Sequence, residues 1–297
     1  MVKTSPILLG LSLALAYTSL APAQDSSMNQ SVPQVLQITR EFLKPGKSGA
    51  PHDKTESAFV ATMARAKFPA HYVGMNSMSG KSRALFLTEY ASFAEWEKDN
   101  QIVDKNPALG AELDRESVAD GELLDGLDSV VCTYNAELSY HPHADISHAR
   151  YMEISVYHVR PGHRDDWHEL VKMVKDAHEK AGTSAHWATF DMAYGGEGGT
   201  YIILSADKSM TEIDQGFAES KKFVEGMGGK EGMAKLDELF GKTVDTSHNE
   251  LFSFNPKQSY VDESWIKADP EFWKPKPAAA PMAKPAAKTP DAKPAAH

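Results

Sequence analysis

Apolar and polar residues alternate along residues 35–43, and alternation with a period of two is typical of a strand with two different faces. Residues 55–66 instead repeat apolar side chains at helical spacing, and residues 71–78 are extended again. A turn-rich connection over residues 79–82 then leads into a second apolar run. The pattern predicts a strand, a helix and a β-hairpin, in that order.

Two further helices and a strand follow in the same part of the chain. Residues 93–103 and 107–125 carry apolar side chains at helical spacing, and residues 130–140 alternate as an extended segment. The complete order is βαββαβ, which is the split βαβ arrangement of a ferredoxin-like unit.

The same succession of patterns recurs about 115 residues further along, as expected of a duplicated unit. Residues 35–46 align with residues 151–162, and both segments end in a basic residue followed by Pro-Gly. Two shorter matches keep the same order: Ala70-His71-Tyr72 with Ala185-His186-Trp187, and Ser139-Tyr140-His141-Pro142 with Ser253-Phe254-Asn255-Pro256. We therefore predict a first ferredoxin-like repeat over residues 34–142, a linker over 143–148 and a second repeat over 149–257.

A four-stranded antiparallel sheet with both helices on one face leaves its other face uncovered. Two such repeats in one chain cover each other sheet to sheet, so the predicted fold class is α+β, a barrel formed within one chain with its helices outside. This arrangement, with Lys44-Pro45-Gly46 and Arg160-Pro161-Gly162 before the first helix of each repeat, resembles the dimeric α+β barrel superfamily, including NIPSNAP-like and antibiotic-biosynthesis-monooxygenase-like proteins. The resemblance covers roughly residues 34–257.

The resemblance has implications for assembly and for activity. Members usually pair two chains, so this chain is expected to be a monomer that contains an intrachain pseudo-dimer. Activities in the superfamily range from cofactor-free oxygenation through haem degradation to no known reaction, so the fold by itself does not fix a function.

The start of the chain has the composition of a targeting segment. Residues 1–23 combine a charged beginning, a short apolar run and the small-x-small motif Ala21-Pro22-Ala23. This pattern predicts a cleaved signal peptide, and therefore an exported protein, periplasmic or secreted, with no transmembrane segment in its mature form.

The end of the chain divides into two segments. Residues 258–273 contain Trp265, Phe272 and Trp273, and we expect these aromatic side chains to anchor the exit of the chain onto the body. Residues 274–297 consist mainly of Ala, Pro and Lys, which predicts a disordered tail. The tail is either a solubilising end without a partner or a contact to an anionic envelope surface.

Charge and cysteine content exclude several classes of function. With 31 Lys and Arg against 41 Asp and Glu, the net charge of −10 argues against a nucleic-acid partner. The single cysteine, Cys132, excludes an intrachain disulfide and any zinc site built from several thiolates, and its strand context predicts a buried, inert thiol. The group of His141, His143 and His148 with Asp145 fits no standard ligand spacing and is interpreted as a solvated connector, so no metal and no cofactor is predicted.

Strand alternation divides the candidate site residues into two sets. The more apolar set, which includes Leu36, Ile38 and Phe42, is expected to face the helices, and the opposite set to face the interior of the barrel. That interior is either a ligand pocket or a filled interface. The predicted ligand-binding residues are Gln37, Thr39, Glu41, Tyr72, Asn76, Glu153, Ser155, Tyr157, Trp187 and Asp191.

Aromatic side chains mixed with a few polar groups are typical of a small-molecule pocket. We therefore predict an exported protein that binds a hydrophobic or aromatic small molecule between two sheets. One alternative is an enzyme like the cofactor-independent monooxygenases, acting on an aromatic substrate with Glu41 or Glu153 as an acid or base. The other alternative is haem binding through His71, His178 or His186.

Overall fold

The computed structural model describes residues 32–142 and 145–274 of the 297-residue chain. The predicted signal peptide, residues 143 and 144 of the predicted linker and residues 275–297 of the predicted tail lie outside the described residues. Within the described ranges, no helix is both long enough and apolar enough to cross a membrane.

The described chain alternates strands and helices in an order that is the same in its two halves. The strands are β1 (Val35–Leu43), β2 (Tyr72–Ser77), β3 (Arg83–Tyr90), β4 (Leu124–Tyr140), β5 (Tyr151–Val159), β6 (Trp187–Tyr194), β7 (Thr200–Asp207) and β8 (Val244–Phe254). The helices are α1 (Ala50–Ala66), α2 (Phe93–Asp104), α3 (Pro107–Gly121), α4 (Arg164–Ala181), α5 (Met210–Ala218), α6 (Ser220–Gly226), α7 (Gly229–Thr243), α8 (Glu263–Ala268) and α9 (Pro270–Trp273). Short 3-10 turns lie at Ile146–His148 and Pro256–Gln258.

All eight strands form one closed antiparallel barrel in the order β1-β3-β2-β8-β5-β7-β6-β4. The first four strands stand in the order β4-β1-β3-β2, and the last four stand in the equivalent order β8-β5-β7-β6. Two pairings join the halves: β2 with β8, where Met75 faces Phe254, and β4 with β6, where Thr133 faces Asp191. The predicted α+β class and antiparallel sheet are confirmed.

Long-range pairing moves one predicted boundary. Strand β4 begins at Leu124, six residues before the predicted start, and α3 ends at Gly121 rather than at residue 125. The reason is that β4 pairs with β1 over the whole length of β1, down to Leu43 opposite Leu124. Local periodicity cannot predict this pairing, because the pairing depends on a strand about 80 residues away in the sequence.

Apolar side chains from both halves meet inside the barrel. Leu36 and Ile38 of β1 belong to one buried cluster with Met152 and Ile154 of β5. The prediction that this apolar set faces the helices is therefore wrong. A closed barrel excludes water from its interior more completely than a layer of separate helices does from the outside, so the apolar set stabilises the fold most when it points inward.

The polar set consequently points outward, into the layer between the sheet and the helices. Glu41 of β1 contacts His52 of α1, and the ring of Tyr157 on β5 lies 5.1 Å from the ring of Trp167 on α4. By alternation, the same reversal applies to all ten predicted ligand-binding residues. They are Gln37, Thr39, Glu41, Tyr72, Asn76, Glu153, Ser155, Tyr157, Trp187 and Asp191.

The segment after β8 covers one mouth of the barrel. Trp265 of α8 and Trp273 of α9 are buried against the apolar interior, and the Trp273 ring lies 6.2 Å from the ring of Phe254. The indole Nε1 of Trp273 donates a hydrogen bond to the carbonyl oxygen of Ser147 at 2.7 Å. Near the opposite mouth, a cleft of about 330 Å³ contains an ion pair between Arg83 and Glu250.

The turn Pro256–Gln258 packs directly against strand β2 at Gly74. A Cβ atom on Gly74 would lie 2.4 Å from the carbonyl oxygen of Gln258, which is closer than any real contact. The neighbouring Ser259 hydroxyl accepts a hydrogen bond from the Gly74 backbone N–H at 2.9 Å. A glycine is therefore required here by the close approach of two backbone segments.

Replacing Gly74 with alanine should lower the free energy of unfolding by about 1–3 kcal/mol, because the added methyl group must displace the turn. Chemical denaturation measures this change. Gly121→Ala is the matched control, since a Cβ atom there would meet nothing within 4 Å. We expect the control to be neutral or slightly stabilising, and equal stabilities for the two variants would contradict the packing described here.

Candidate functional site

A cleft of about 770 Å³ lies between the outer face of the sheet and the helices of the second half. Strands β5, β6 and β7 form its floor, and helices α4, α5 and α6 form its walls. We call it the helix-side cleft. The lining residues used below are Glu153, Ser155, Tyr157, His178, His186, Trp187, Asp207 and Phe223. Four of the ten predicted ligand-binding residues therefore share one site: Glu153, Ser155, Tyr157 and Trp187.

Aromatic rings form the walls of the helix-side cleft. The His178 ring lies 4.6 Å from the Phe223 ring and 5.7 Å from the Trp187 ring. The Trp187 indole is fixed by a hydrogen bond from its Nε1 to the carbonyl oxygen of Leu138 at 2.9 Å. An apolar chamber of about 340 Å³ also borders Tyr157 and Trp187. These walls suit a flat, largely apolar molecule.

Two carboxylates stand on the floor of the helix-side cleft. Glu153 faces Ser205 across the β5–β7 pairing, and Asp207 lies two residues further along β7, on the same face of the sheet. Asp207 is only 5% exposed, and its Oδ2 atom has no hydrogen-bond partner among the residues that the structure describes. Burial, reinforced by the negative charge of Glu153, raises the pKa of Asp207 to about 6.

His178 faces the same cleft as a neutral imidazole. Burial lowers the pKa of its ring, so the ring is uncharged at neutral pH. Its Nδ1 atom lies 2.7 Å from the Thr183 hydroxyl. The other ring nitrogen, Nε2, does not take part in this contact. Of the other histidines considered for haem, His186 also lines the cleft, with Nε2 2.9 Å from the carbonyl oxygen of Ala206. His71 lies elsewhere, stacked on Tyr260.

Glu41 belongs to a different group of side chains in the first half of the chain. Its Oε2 atom lies 2.9 Å from Nε2 of His52, and the same His52 nitrogen lies 3.5 Å from Asp120 Oδ1 and 3.8 Å from Glu56 Oε1. We call Glu41, His52, Glu56 and Asp120 the buried tetrad. Burial raises the pKa of Glu41, and burial together with the charges of Glu41 and Asp120 raises the pKa of Glu56 to about 10.

Sequence analysis did not identify three members of the buried tetrad. His52 and Glu56 are four residues apart on α1, a spacing that places both side chains on one face of a helix, and this was the available signal. No sequence spacing relates Asp120 to this group, because Asp120 lies at the end of α3 and is brought to the group only by the packing of α3 on α1. Sequence analysis also missed Asp207, whose raised pKa depends on its burial.

The other predicted ligand-binding residues do not line the helix-side cleft. The hydroxyl of Thr39 lies 3.0 Å from that of Ser129, and Asp191 accepts hydrogen bonds from the Asn135 amide at 3.0 and 3.1 Å. Burial raises the pKa of Tyr72, whose ring lies 6.0 Å from that of Phe86. Gln37 and Asn76 lie on the same outer face of the first half of the barrel.

The single cysteine and the linker histidines do not add a reactive centre. Cys132 is fully buried in the barrel interior, as predicted, and burial raises the pKa of its thiol to about 12. Nδ1 of His148 lies 2.8 Å from Asp145, and its Nε2 lies 3.2 Å from the carbonyl oxygen of Ala268. His141 is exposed at the edge of the cleft, and His143 lies outside the described residues.

No protein-family profile and no curated protein matches this chain. Solved structures do match. A protein from Fusobacterium nucleatum subsp. nucleatum named "Putative monooxygenase" is 9% identical, with a TM-score of 0.51 over 75% of this chain and 93% of its own. An anthrone oxidase-like protein is 12% identical, with a TM-score of 0.45 over 77% of this chain and 95% of its own. Chlorite dismutase from Candidatus Nitrospira defluvii is 9% identical, with a TM-score of 0.47 over 80% of this chain and 96% of its own.

The Fusobacterium neighbour corrects the predicted function. Sequence analysis preferred a small-molecule-binding protein over an enzyme, and that preference is wrong when compared with this neighbour, whose name is that of an enzyme. The alternative of an enzyme agrees better with the comparisons. At these identities the likeness establishes the fold alone, which this chain shares with the Fusobacterium protein.

Proposed function

We propose that this protein is an enzyme that oxygenates an aromatic hydroxy compound bound in the helix-side cleft. The observation that carries the proposal is the pair Asp207 and Glu153 on the floor of a cleft with aromatic walls. The name of the Fusobacterium neighbour supports oxygenation as the class of reaction. The residues that line the cleft indicate the class of substrate and provide the group that accepts its proton.

The walls of the cleft support an aromatic substrate. Its volume of about 770 Å³ is in the range of about 300–1,000 Å³ that small-molecule sites occupy. Trp187 and Phe223 offer faces for stacking, and the adjoining apolar chamber takes a hydrophobic extension of the ligand. A polycyclic phenol matches this combination of a flat apolar body and one acidic hydroxyl.

Asp207 is the proposed general base. With a pKa of about 6 it is ionised at pH 7.5, and it is a stronger base than an exposed aspartate because burial and Glu153 both disfavour its charge. A phenol or enol placed against Oδ2 transfers its proton to that unpartnered oxygen. The resulting aromatic anion is electron-rich and reacts with O₂. The substrate supplies all the electrons: it is oxidised to a quinone, one oxygen atom becomes the new ring carbonyl, and the other leaves as water with the hydroxyl proton and the hydrogen of that ring carbon.

Haem binding is a second candidate function of the same cleft. A histidine that binds a metal through one ring nitrogen usually holds a hydrogen bond at the other, and His178 has this arrangement, with Nδ1 on Thr183. His178 would then hold the haem iron through Nε2, and the haem would supply oxygen chemistry. Titration with haemin, followed by the Soret band in wild-type protein and in His178→Ala, distinguishes the two candidates.

We also propose that the chain is a tandem duplication of one ferredoxin-like unit, related to the NIPSNAP-like proteins. The equivalent strand orders of the two halves support this origin. The loops after β1 and β5 support it too, since Gly46 and Gly162 both follow Pro and both have a positive φ, of 76° and 85°. Export by the predicted signal peptide would place the reaction outside the cytoplasm.

Replacing Asp207 with asparagine should lower the rate of O₂ consumption with polycyclic phenols by about 100-fold or more, because the base is lost. For the wild-type protein, kcat/KM should rise with pH through a midpoint near 6, the pKa of the free base. Glu153→Gln should move that midpoint to lower pH, since it removes the negative neighbour.

Asp99→Asn is the matched control for the activity experiment. Asp99 on α2 is also a buried carboxylate with a raised pKa, but it does not line the cleft, so its variant should retain the wild-type rate. Full activity in Asp207→Asn would refute the assignment of the base. Absence of turnover in the wild-type protein, with no quenching of Trp187 fluorescence by the phenols, would refute the substrate class.

Asp207→Asn should also change the pH dependence of stability. The folded protein binds the Asp207 proton more tightly than the unfolded chain, so ionisation of this group costs stability as pH rises from about 4 to about 6. At pH 8 the variant should therefore be more stable than wild type by about 1–2 kcal/mol, and at pH 4 the difference should disappear. Urea denaturation at both pH values measures this, and a difference that is independent of pH would contradict the environment described for Asp207.

A further inference from the structure

Helix α1 buries polar side chains where its counterpart buries apolar ones. The most buried residues of α1 are His52, Glu56 and Thr62, whereas those of α4 include Trp167 and Leu170. A helix that packs on a sheet ordinarily places its apolar stripe on that side, because burying charged groups is costly. An exception of this kind is expected at a functional site.

The buried tetrad brings four potential metal ligands to one point. Glu41 comes from β1, His52 and Glu56 come from α1, and Asp120 comes from the end of α3. One ligand atom from each lies within 4.8 Å of the others. Metal–ligand bonds of about 2.0–2.2 Å place the ligand atoms of a four-coordinate site roughly 3.4 Å apart, so small side-chain movements complete the geometry.

The charges of the tetrad are not balanced by basic side chains. Across residues 32–142 and 145–274, no Lys or Arg forms an ion pair with Glu41, Glu56 or Asp120. Three carboxyl groups and one imidazole therefore meet in a poorly solvated place. A divalent cation would provide bonds to all four groups.

Surrounding side chains hold the ligands in position. The Thr55 hydroxyl donates a hydrogen bond to Asp120 Oδ1 at 2.6 Å. The amide nitrogen of Gln258, which is fully buried, lies 3.2 Å from Nδ1 of His52 and fixes the orientation of the ring, with Nε2 toward the carboxylates. A hydrogen bond to a ligating carboxylate, such as the one from Thr55, is typical of metal sites.

Solvent reaches the tetrad at one ligand. The side chain of Glu41 is 13% exposed, whereas those of His52, Glu56 and Asp120 are at most 5% exposed. An ion therefore has a way in at Glu41, and it would be held on its other sides by protein.

We propose that Glu41, His52, Glu56 and Asp120 form a binding site for one divalent first-row transition-metal ion, of the class of Mn²⁺, Fe²⁺ or Zn²⁺. One imidazole nitrogen with three carboxylate oxygens suits these ions better than it suits Mg²⁺, which prefers oxygen ligands and retains its waters. The site is separate from the helix-side cleft, and it does not depend on the reaction proposed for that cleft.

Metal binding to the full chain tests this inference directly. The purified protein is stripped with a chelator, and isothermal titration calorimetry follows the addition of Mn²⁺, Zn²⁺ or Mg²⁺ in the absence of any phenol. We expect one equivalent of Mn²⁺ or Zn²⁺ to bind, weaker binding of Mg²⁺, and a melting temperature that rises with the concentration of the bound metal. Failure of Mn²⁺ and Zn²⁺ to bind would overturn the proposal and leave the cleft chemistry untouched.

Variants separate the tetrad from adventitious sites. His52→Gln and Glu41→Gln should each weaken the affinity for Mn²⁺ and Zn²⁺ by about 100-fold or more, because each removes a ligand. Glu116→Gln is the matched control, since Glu116 lies between α3 and α1 and accepts a hydrogen bond from Thr62 but is not in the tetrad. Its affinity should stay within a few-fold of wild type.

Folding is checked for each variant by circular dichroism. The Glu41 side chain is partly exposed, so Glu41→Gln should fold even if His52→Gln does not. The Glu41 variant then provides the test by itself. Unchanged affinity in a folded Glu41→Gln or His52→Gln variant would overturn the assignment, as would an equal loss in Glu116→Gln.

Discussion

Closure of the barrel is the constraint on which the rest of the structure depends. The pairing of β2 with β8 and that of β4 with β6 join the two halves, and the first of these is short, extending from Met75 opposite Phe254 to Ser77 opposite Phe252. Closing the sheet removes its free edges and creates an interior with little access for water. That interior takes apolar side chains from each of the eight strands. Most polar side chains on the same strands lie on the outer face, beneath the helices, and the ion pair of Arg83 with Glu250 at one mouth is an exception.

The outer layer is where the two halves differ chemically. In the second half, α4 and its neighbours present aromatic side chains and leave a cleft above the sheet, with Asp207 and Glu153 on its floor. In the first half, α1 presents His52 and Glu56 to Glu41 and closes over them. One strand arrangement thus supports two environments, one suited to an aromatic molecule and one suited to an ion.

Much of the fold could be predicted from periodicity. The bounds of β1 agree with the predicted residues 35–43, and alternation correctly separated Leu36 and Ile38 from Gln37 and Thr39. Alternation alone shows that a strand has two faces, but it does not show which face is buried in the interior of the barrel. That depends on closure of the barrel by strands that are distant in the sequence, such as β2 and β8. For this reason the orientation of every candidate site residue was predicted the wrong way round.

The sites were less predictable than the fold because they depend on burial. The expected apolar stripe of α1, residues Ala58, Phe59, Met63 and Ala66, is only partly buried or exposed. Glu153, Tyr157 and Trp187 were correctly selected as residues that share a face, and the structure brings them together in the helix-side cleft. The raised pKa values of Glu56 and Asp207 could not be predicted from the sequence, since they result from burial and from neighbours on other elements.

The contact between His52 and Gln258 joins positions 206 residues apart. At a synthesis rate of about 5–20 residues per second, α1 leaves the ribosome roughly 10–40 s before the turn that holds its histidine. During that interval the polar face of α1 can already contact Glu41 and Asp120, but Gln258 is missing and the barrel is not closed, because β8 has not been completed. Maturation of the tetrad is thereby coupled to completion of the chain, and a translation product that stops short of residue 258 carries an unfinished site.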